Sequence, residues 1–214
     1  MLNQIATPQQ SLKIVTHLKG SPPTDVAEAT PIHIREVFWG LVQSGHLEIA
    51  LEMIRGRYGP MVNMFDNPTI WEGWRRFTGE NAIVTDEDYE QRDDRLRPAG
   101  ERSLVHGGTA PALLLSREVL GVKSVGAGFR ECRIEVPELE SVEWARGVFP
   151  SVRGDIKVDW RRKGGKMLLE VELPADLKST LVIPAGARTV YHNGKRVARA
   201  NIVVTGGTHR VEVE

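Results

Sequence analysis

The sequence has few of the features that mark disulfide-bonded, metal-binding or nucleic-acid-binding proteins. It contains a single cysteine, Cys132, so an intrachain disulfide is excluded, and no Cys/His spacing typical of a zinc site occurs. The 214 residues include 28 basic and 28 acidic side chains. These charges are nearly balanced in each half of the chain, which excludes the basic surface of a nucleic-acid-binding protein. We therefore predict no metal, no cofactor and no nucleic-acid partner.

Long apolar runs are also absent. No window of the sequence approaches the length and hydropathy of a membrane span. The N-terminal residues Met1-Leu2-Asn3-Gln4-Ile5 lack the basic stretch and apolar run of a secretion signal. We therefore predict a cytoplasmic protein with no membrane partner, on the condition that Met1 is the natural N-terminus.

Aromatic residues make up only 6% of the chain, yet two tryptophans flank one carboxylate in Trp71-Glu72-Gly73-Trp74. A carboxylate between aromatic side chains is typical of a site that cleaves sugars. The rings stack on the pyranose faces, and the carboxylate activates water or stabilises positive charge at the anomeric carbon. Tryptophans at short spacing are, however, more often core residues beside a solvated glutamate. The segment alone leaves both interpretations open.

The first 130 residues show the periodicity of helices separated by long loops. The apolar stripe of Ile34, Phe38 and Leu41 predicts a helix that opens at Thr30-Pro31 and ends at Gly45. A second helix is predicted from Leu47 to Tyr58, ended by Gly59-Pro60, and the short link between the two indicates a helical hairpin. A third is predicted from about Ala110 to Leu120, closed by Gly121.

After Phe129 the apolar pattern changes to period two. Residues 156–160 and 167–173 alternate on either side of a turn at Lys163–Lys166, and Asn193-Gly194 predicts a hairpin. Further strands are predicted over 180–183 and for a final pair, 201–205 and 210–213, joined by Gly206-Gly207. Short strands with frequent turns predict an antiparallel β-sandwich of about eighty residues.

Several short motifs occur in an order that carries a family resemblance. The helical hairpin is followed by Thr69–Trp74, Ser103–His106, Val119–Val122, Val142–Gly147 and Val152–Trp160. This order resembles the C-terminal portion of the bacterial α-L-rhamnosidases of glycoside hydrolase family 78, which are six-hairpin glycosidases. The resemblance implies a two-part α+β fold. Residues 1–130 would form the C-terminal part of an (α/α)6 barrel, and residues 131–214 would form a C-terminal β-sandwich domain.

The resemblance also implies roles for individual residues. Glu72 would be the general base that activates water for inverting hydrolysis of terminal α-L-rhamnosides. His106 would line the sugar subsite, and Trp71 and Trp74 would border it, so the implied ligand is a rhamnose-containing carbohydrate. Without the resemblance, His106 is better interpreted as a helix-terminal histidine bonded to a backbone carbonyl. The chain departs from the family at Gly107-Gly108, where a bulkier residue usually follows the histidine.

An inverting glycosidase needs a second carboxyl group as general acid, about 6.5–9.5 Å from the base. In the family this acid lies in an earlier barrel segment, and the acidic residues upstream of Glu72 occur in no recognisable motif. Residues 1–130 also supply only three or four of the barrel's twelve helices. We therefore expect a truncated or split glycosidase that is weak or inactive alone. Its partner would be another chain that completes the barrel, or further copies of itself.

Two other functions remain open. The first is a non-catalytic carbohydrate-binding or structural β-sandwich module, with Trp160 and Tyr191 as candidate sugar contacts. Trp144 and Trp160 lie on strands with an alternating apolar pattern, however, and tryptophans in such strands are more often core residues. The second is another six-hairpin glycosidase with a different sugar.

Overall fold

A computed structural model describes residues 7–20, 33–63, 70 and 109–214. The chain divides into two compact units, Met1–Ala112 and Leu113–Glu214. None of the helices in the described ranges is long and apolar enough to cross a membrane.

The described part of the first unit is helical. It contains α1 (Pro8–Gly20), α2 (Ile34–Gln43) and α3 (Leu47–Asn63). Helices α2 and α3 contact each other across their short link, as the hairpin prediction requires. The apolar face of α2 is buried, and its C-terminal end is closed by Gly45, whose φ of 79° is a left-handed conformation that suits glycine.

One helix prediction in this unit is wrong at its end, and one helix has no counterpart in the sequence analysis. Helix α3 runs through Gly59-Pro60 to Asn63 instead of ending there. A proline removes one backbone donor, and only three residues of the helix follow Pro60, so few hydrogen bonds are lost. Helix α1 is the helix without a counterpart, and its apolar Leu12 and Ile14 are exposed. Its start has a capping box, in which Thr7 and Gln10 exchange side-chain and backbone hydrogen bonds of 2.8 and 3.3 Å.

The helix at the junction of the units begins as α4 (Ala110–Leu114) and continues as a π-helical turn over Leu115–Val119. The wider turn is marked by the hydrogen bond from the Leu120 amide to the Leu115 carbonyl, at 2.7 Å. Gly121, with φ of 87°, ends the helical segment as predicted.

Eight strands follow in the second unit. They are β1 (Val122–Val125), β2 (Glu131–Ile134), β3 (Trp144–Ser151), β4 (Gly154–Lys163), β5 (Lys166–Leu181), β6 (Val190–His192), β7 (Lys195–Val197) and β8 (Ile202–Val213). The predicted turns at Lys163–Lys166 and Asn193-Gly194 are present between β4 and β5 and between β6 and β7.

The long strands β5 and β8 organise this unit. They pair antiparallel along their length, with an irregularity between Leu173 and Lys178. The first part of β5 pairs with β4, and β4 pairs with β3; the last part of β5 pairs with β2, and β2 pairs with β1. Strand β6 joins the C-terminal end of β8. All eight strands therefore belong to one sheet, in which β5 pairs with β8 along its length and with β4 and then β2 along successive parts.

Three features differ from the predicted antiparallel sandwich. The predicted strands over 167–173 and 180–183 are wrong as separate strands, because β5 continues from Lys166 to Leu181 across the irregularity. The β2–β5 pair is parallel, so the sheet is mixed. The predicted hairpin at Gly206-Gly207 is wrong, because β8 continues through these glycines as one strand. A Cβ atom at Gly206 would meet the Ala175 carbonyl oxygen, so the glycine permits a close approach of β8 to the β5 irregularity.

The core of the second unit lies between the apolar faces of these strands. Its largest fully buried side chains belong to β4, β5 and their neighbours: Ile134, Ile156, Trp160, Leu169, Leu177 and Leu181. Strand β1 lies before residue 131 and pairs with β2, with Val122 opposite Ile134. The assignment of 1–130 to a barrel and 131–214 to a separate domain stays a prediction.

Candidate functional site

The residues assigned to catalysis and sugar binding lie outside the described ranges. These are Trp71, Glu72, Trp74 and His106. Their roles as general base and subsite residues therefore stay predictions.

The structure changes the interpretation of the aromatic residues in the second unit. Trp160 is fully buried, and its indole N–H donates a hydrogen bond to the Val119 carbonyl oxygen at 2.9 Å. Trp160 is a core residue with no surface exposed to a sugar, so the suggestion that it contacts a glycan is wrong. Tyr191 is partly exposed. Trp144, which the periodicity favoured as core, is 65% exposed.

An open cavity of about 430 Å³ lies beside Tyr191 on the outer face of β4, β5, β6 and β8. Its apolar lining includes Leu168 and Met167. Its charged lining includes Arg161 from β4 and Arg210 from β8. The cavity thus has an apolar floor with charged side chains on either side.

Ion pairs fix several of the charged side chains at this cavity. Arg210 lies 2.9 Å from the Glu170 carboxylate and 3.0 Å from that of Glu212, and Lys166 lies 2.6 Å from Glu214. The hydrogen bond from Arg210 to Glu212 raises the pKa of Arg210 above its ordinary value, with a smaller contribution from Glu170. The hydrogen bond to Glu214 likewise raises the pKa of Lys166. Both side chains are therefore cations held by neighbouring carboxylates.

Asp159 extends this charged surface toward β3. It accepts a hydrogen bond from Arg146 at 2.6 Å and lies 3.5 Å from Arg161. Partial burial raises the pKa of Asp159, but the hydrogen bonds and charges of the two arginines outweigh it and hold the pKa below its usual value. The carboxylate is thus ionised and orients both guanidinium groups.

A histidine pair lies on the other face of the same strands. His209 Nε2 is 2.8 Å from the Gly206 carbonyl oxygen, which can only accept, so this nitrogen carries the proton. His209 Nδ1 then accepts from His192 Nε2 at 3.2 Å. Burial, and to a smaller extent the charge of His209, lowers the pKa of His192. The pair links β6 to the irregular part of β8.

Within the described ranges, no group of three or more His, Cys, Asp or Glu side chains is arranged to hold a metal ion. The acidic side chains at the cavity already accept hydrogen bonds from cations, an arrangement that suits binding a polar ligand better than proton transfer. Sequence reasoning named Tyr191 but missed Trp144, Arg161 and Arg210. No local pattern marks these three residues, because they meet only through the strand register.

Comparison with known proteins gives one family match, and it falls in this unit. Residues 121–198 match the bacterial alpha-L-rhamnosidase C-terminal domain. No curated protein sequence matches significantly.

Solved structures extend the likeness to most of the chain. A family 78 rhamnosidase of Bacillus sp. GL1 is 27% identical, with a TM-score of 0.61 over 86% of this chain and 18% of its own. The α-L-rhamnosidase of Aspergillus terreus is 18% identical, with a TM-score of 0.68 over 96% of this chain and 21% of its own. That of Streptomyces avermitilis, complexed with L-rhamnose, is 20% identical, with a TM-score of 0.63 over 84% and 17%.

This chain therefore spans about a fifth of the length of the solved structures it matches. The resemblance to the C-terminal portion of the α-L-rhamnosidases is confirmed, and it places the chain in a glycoside hydrolase context.

Proposed function

We propose that this chain is the C-terminal part of an α-L-rhamnosidase-like glycoside hydrolase that cleaves terminal α-L-rhamnosides with inversion. The observation that carries the proposal is the match of residues 121–198 to the rhamnosidase C-terminal domain. The structural likeness to family 78 enzymes, over more than four fifths of the chain, supports it.

In this proposal Glu72 is the general base. It removes a proton from the water that attacks the anomeric carbon, while a separate carboxylic acid protonates the leaving oxygen. His106 orients sugar hydroxyl groups, and the rings of Trp71 and Trp74 border the pocket. The general acid comes from a barrel segment outside the matched fifth of the enzyme, so another segment or chain that completes the barrel is the proposed partner.

The test is hydrolysis of an aryl α-L-rhamnoside by the purified chain, alone and mixed with the product of any adjacent upstream reading frame. We expect hydrolysis from the mixture and little from the chain alone. Glu72→Gln should lower kcat by about 10²- to 10⁴-fold, because it removes general-base catalysis. Asp66→Asn, a nearby carboxylate without an assigned role, is the matched control and should leave kcat unchanged.

Two results would contradict the proposal in different ways. Full activity from the chain alone would overturn the requirement for a barrel partner. Full activity of the Glu72→Gln variant in the mixture would overturn the assignment of the base.

The alternative function, a non-catalytic carbohydrate-binding or structural module, cannot use Trp160, because that side chain is fully buried. A glycan contact in the second unit would have to use aromatic residues that are exposed. Trp144 and Tyr191 are the tryptophan and tyrosine of this unit with exposed surface.

A further inference from the structure

One row of side chains crosses the outer face of the second unit from Trp144 to Tyr191. The strand register places Trp144 opposite Arg161, Arg161 opposite Leu168, Leu168 opposite Glu212, and Glu212 opposite Tyr191. Directly opposed residues of antiparallel strands point to the same face of a sheet. These five side chains, called here the cross-strand row, therefore lie side by side.

Burial confirms that the cross-strand row faces outward. The register-matched neighbours one position along, Trp160, Leu169 and Val211, are all fully buried. Because successive residues of a strand alternate between faces, the row lies on the opposite, exposed side. The row crosses five neighbouring strands. Adjacent strands lie about 4.8 Å apart, so the four spacings make the row about 19 Å long.

The composition of the row suits an extended saccharide. An exposed indole lies at one end and a phenol ring at the other, and both present flat apolar surface with a polar edge. Between them lie a guanidinium group, an aliphatic side chain and a carboxylate. The cavity of about 430 Å³ follows the Arg161, Leu168, Glu212 and Tyr191 part of the row and gives it concavity.

The polar groups around the row are held in place before any ligand binds. Asp159 orients Arg161 at 3.5 Å, and Arg210 holds Glu212 at 3.0 Å. Side chains that ion pairs already hold lose less conformational entropy on binding than free side chains do. The entropy cost therefore cancels less of the favourable energy of the ligand contacts. The face is thus preorganised for hydrogen bonds to hydroxyl groups.

The charged side chains at the cavity indicate which class of saccharide the row would bind. The cavity is lined by four basic side chains and two acidic ones: Arg161, Lys163, Lys166 and Arg210 against Glu212 and Glu214. Lys163 has no ion-pair partner among the described residues. Asp159 and Glu170, beside the lining, pair with Arg161 and Arg210. Lys163 is therefore the cation at the cavity that no described carboxylate balances, and it favours a ligand that carries a carboxylate.

We propose that the cross-strand row binds an acidic oligosaccharide, with sugar rings on Trp144 and Tyr191 and a uronic acid carboxylate near Arg161 and Lys163. This inference rests on the proposed function to the extent that both assume a carbohydrate ligand. The row shares no residue with the proposed catalytic site, so separate substitutions test the two sites.

The experiment is calorimetric titration of the full 214-residue chain with a hexasaccharide of alternating rhamnose and galacturonic acid. The same hexasaccharide with its carboxylates reduced to alcohols is the neutral probe. We expect the acidic probe to bind more tightly. Trp144→Ala and Tyr191→Ala should each weaken its binding about three- to tenfold, the range expected for loss of an aromatic contact. Lys163→Gln, at the cavity but outside the row, should weaken binding of the acidic probe and leave that of the neutral probe unchanged.

Val203→Ala, an exposed apolar residue of β8 outside the row, is the matched control and should bind like the unaltered chain. Circular dichroism of each variant checks that it is folded. Absence of binding to either probe, or binding unchanged by both aromatic substitutions, overturns the site. Equal binding of the neutral and acidic probes overturns the assignment of charge.

The aryl rhamnoside assay separates this inference from the proposed function. Glu72→Gln should lower hydrolysis by the mixture about 10²- to 10⁴-fold and leave hexasaccharide binding by the chain intact. Hydrolysis without hexasaccharide binding overturns the cross-strand row and leaves the hydrolase proposal standing. Hexasaccharide binding by the chain, without hydrolysis of the aryl rhamnoside by the mixture, supports the row and counts against the hydrolase.

Discussion

Trp144 and Trp160 lie on paired strands, β3 and β4, and their environments give them opposite roles. Trp160 is fully buried and its N–H is satisfied by Val119, whereas Trp144 is 65% exposed. Burying an indole N–H without a partner is costly, so a core tryptophan requires an acceptor in place. The Val119 carbonyl, at the end of the π-helical turn, is that acceptor.

His192 gives the second unit a pH-dependent stability. Its pKa is lowered in the folded protein, chiefly by burial, below the ordinary value of about 6.5. The unfolded chain therefore takes up the proton first as the pH falls. The stabilisation is fully present above about pH 6.5 and is lost as the pH falls from there toward the folded-state pKa.

We predict that the urea midpoint of the second unit falls as the pH is lowered from 7.5 to 5.5. His192→Asn should flatten this dependence, because the titrating group is removed. His46→Gln, in the first unit, is the control and should keep it. Either of two results would show that another group controls stability between pH 7.5 and 5.5. One is a urea midpoint that rises on acidification, and the other is an unchanged pH dependence of the midpoint in His192→Asn.

At the scale of elements, the feature that most shapes the second unit is the irregularity in the pairing of β5 with β8. Leu173 pairs with Gly207 and Lys178 with Thr205, so four residues of β5 lie opposite Gly206 alone. Such bulges bend strands and raise their twist. Gly206 has φ of 52° and lies against the Ala175 backbone.

Gly206→Ala is predicted to destabilise the second unit by about 2–5 kcal/mol. The left-handed conformation costs a non-glycine residue about 1–2 kcal/mol, and forcing the methyl group against Ala175 adds about 1–3 kcal/mol. Gly207→Ala is the matched control: its φ is 79°, but a Cβ atom there would meet nothing within 4 Å. It should cost only the conformational part.

The measurement is the free energy of unfolding from urea titration of both variants. Equal losses for Gly206→Ala and Gly207→Ala would mean that the contact with Ala175 contributes nothing.

At the scale of the molecule, the second unit has a core of its own. Val119, Leu120 and Val122 are buried with the side chains of the later strands. Val119, Leu120 and Val122 therefore belong to this core. The family match, which begins at residue 121, agrees.

A fragment of residues 110–214 should fold cooperatively by itself, whereas one of residues 131–214 should be much less stable. The shorter fragment lacks β1 and the acceptor for Trp160, so Ile134 and Trp160 lose partners. Large cavities and unsatisfied buried donors each cost about 1–5 kcal/mol. Urea unfolding followed by tryptophan fluorescence measures both; equal midpoints would show that residues 110–130 do not contribute to the core.

Much of the fold could be predicted from local pattern. Gly45 and Gly121 marked helix ends, and Asn193-Gly194 marked a hairpin, because these depend on the backbone conformations available to a few adjacent residues. Gly206-Gly207 shows the limit. A Gly-Gly dipeptide can form a hairpin turn, but in this protein it lets β8 pass close to β5. Only the position of the partner strand decides whether the dipeptide turns or continues the strand.

The sequence by itself determined three features: the apolar–polar alternation of β4 and β5, the helical hairpin, and the resemblance to the rhamnosidase C-terminal portion. Each depends only on the order of residues along the chain. The tertiary structure decided which tryptophan is core and which is exposed, that β2 pairs parallel with β5, and that Trp144, Arg161 and Tyr191 share one face. The physical reason is that a period of two divides side chains between two faces of a strand. Which face is buried, and which distant residues lie beside it, depends on the register between strands far apart in the chain.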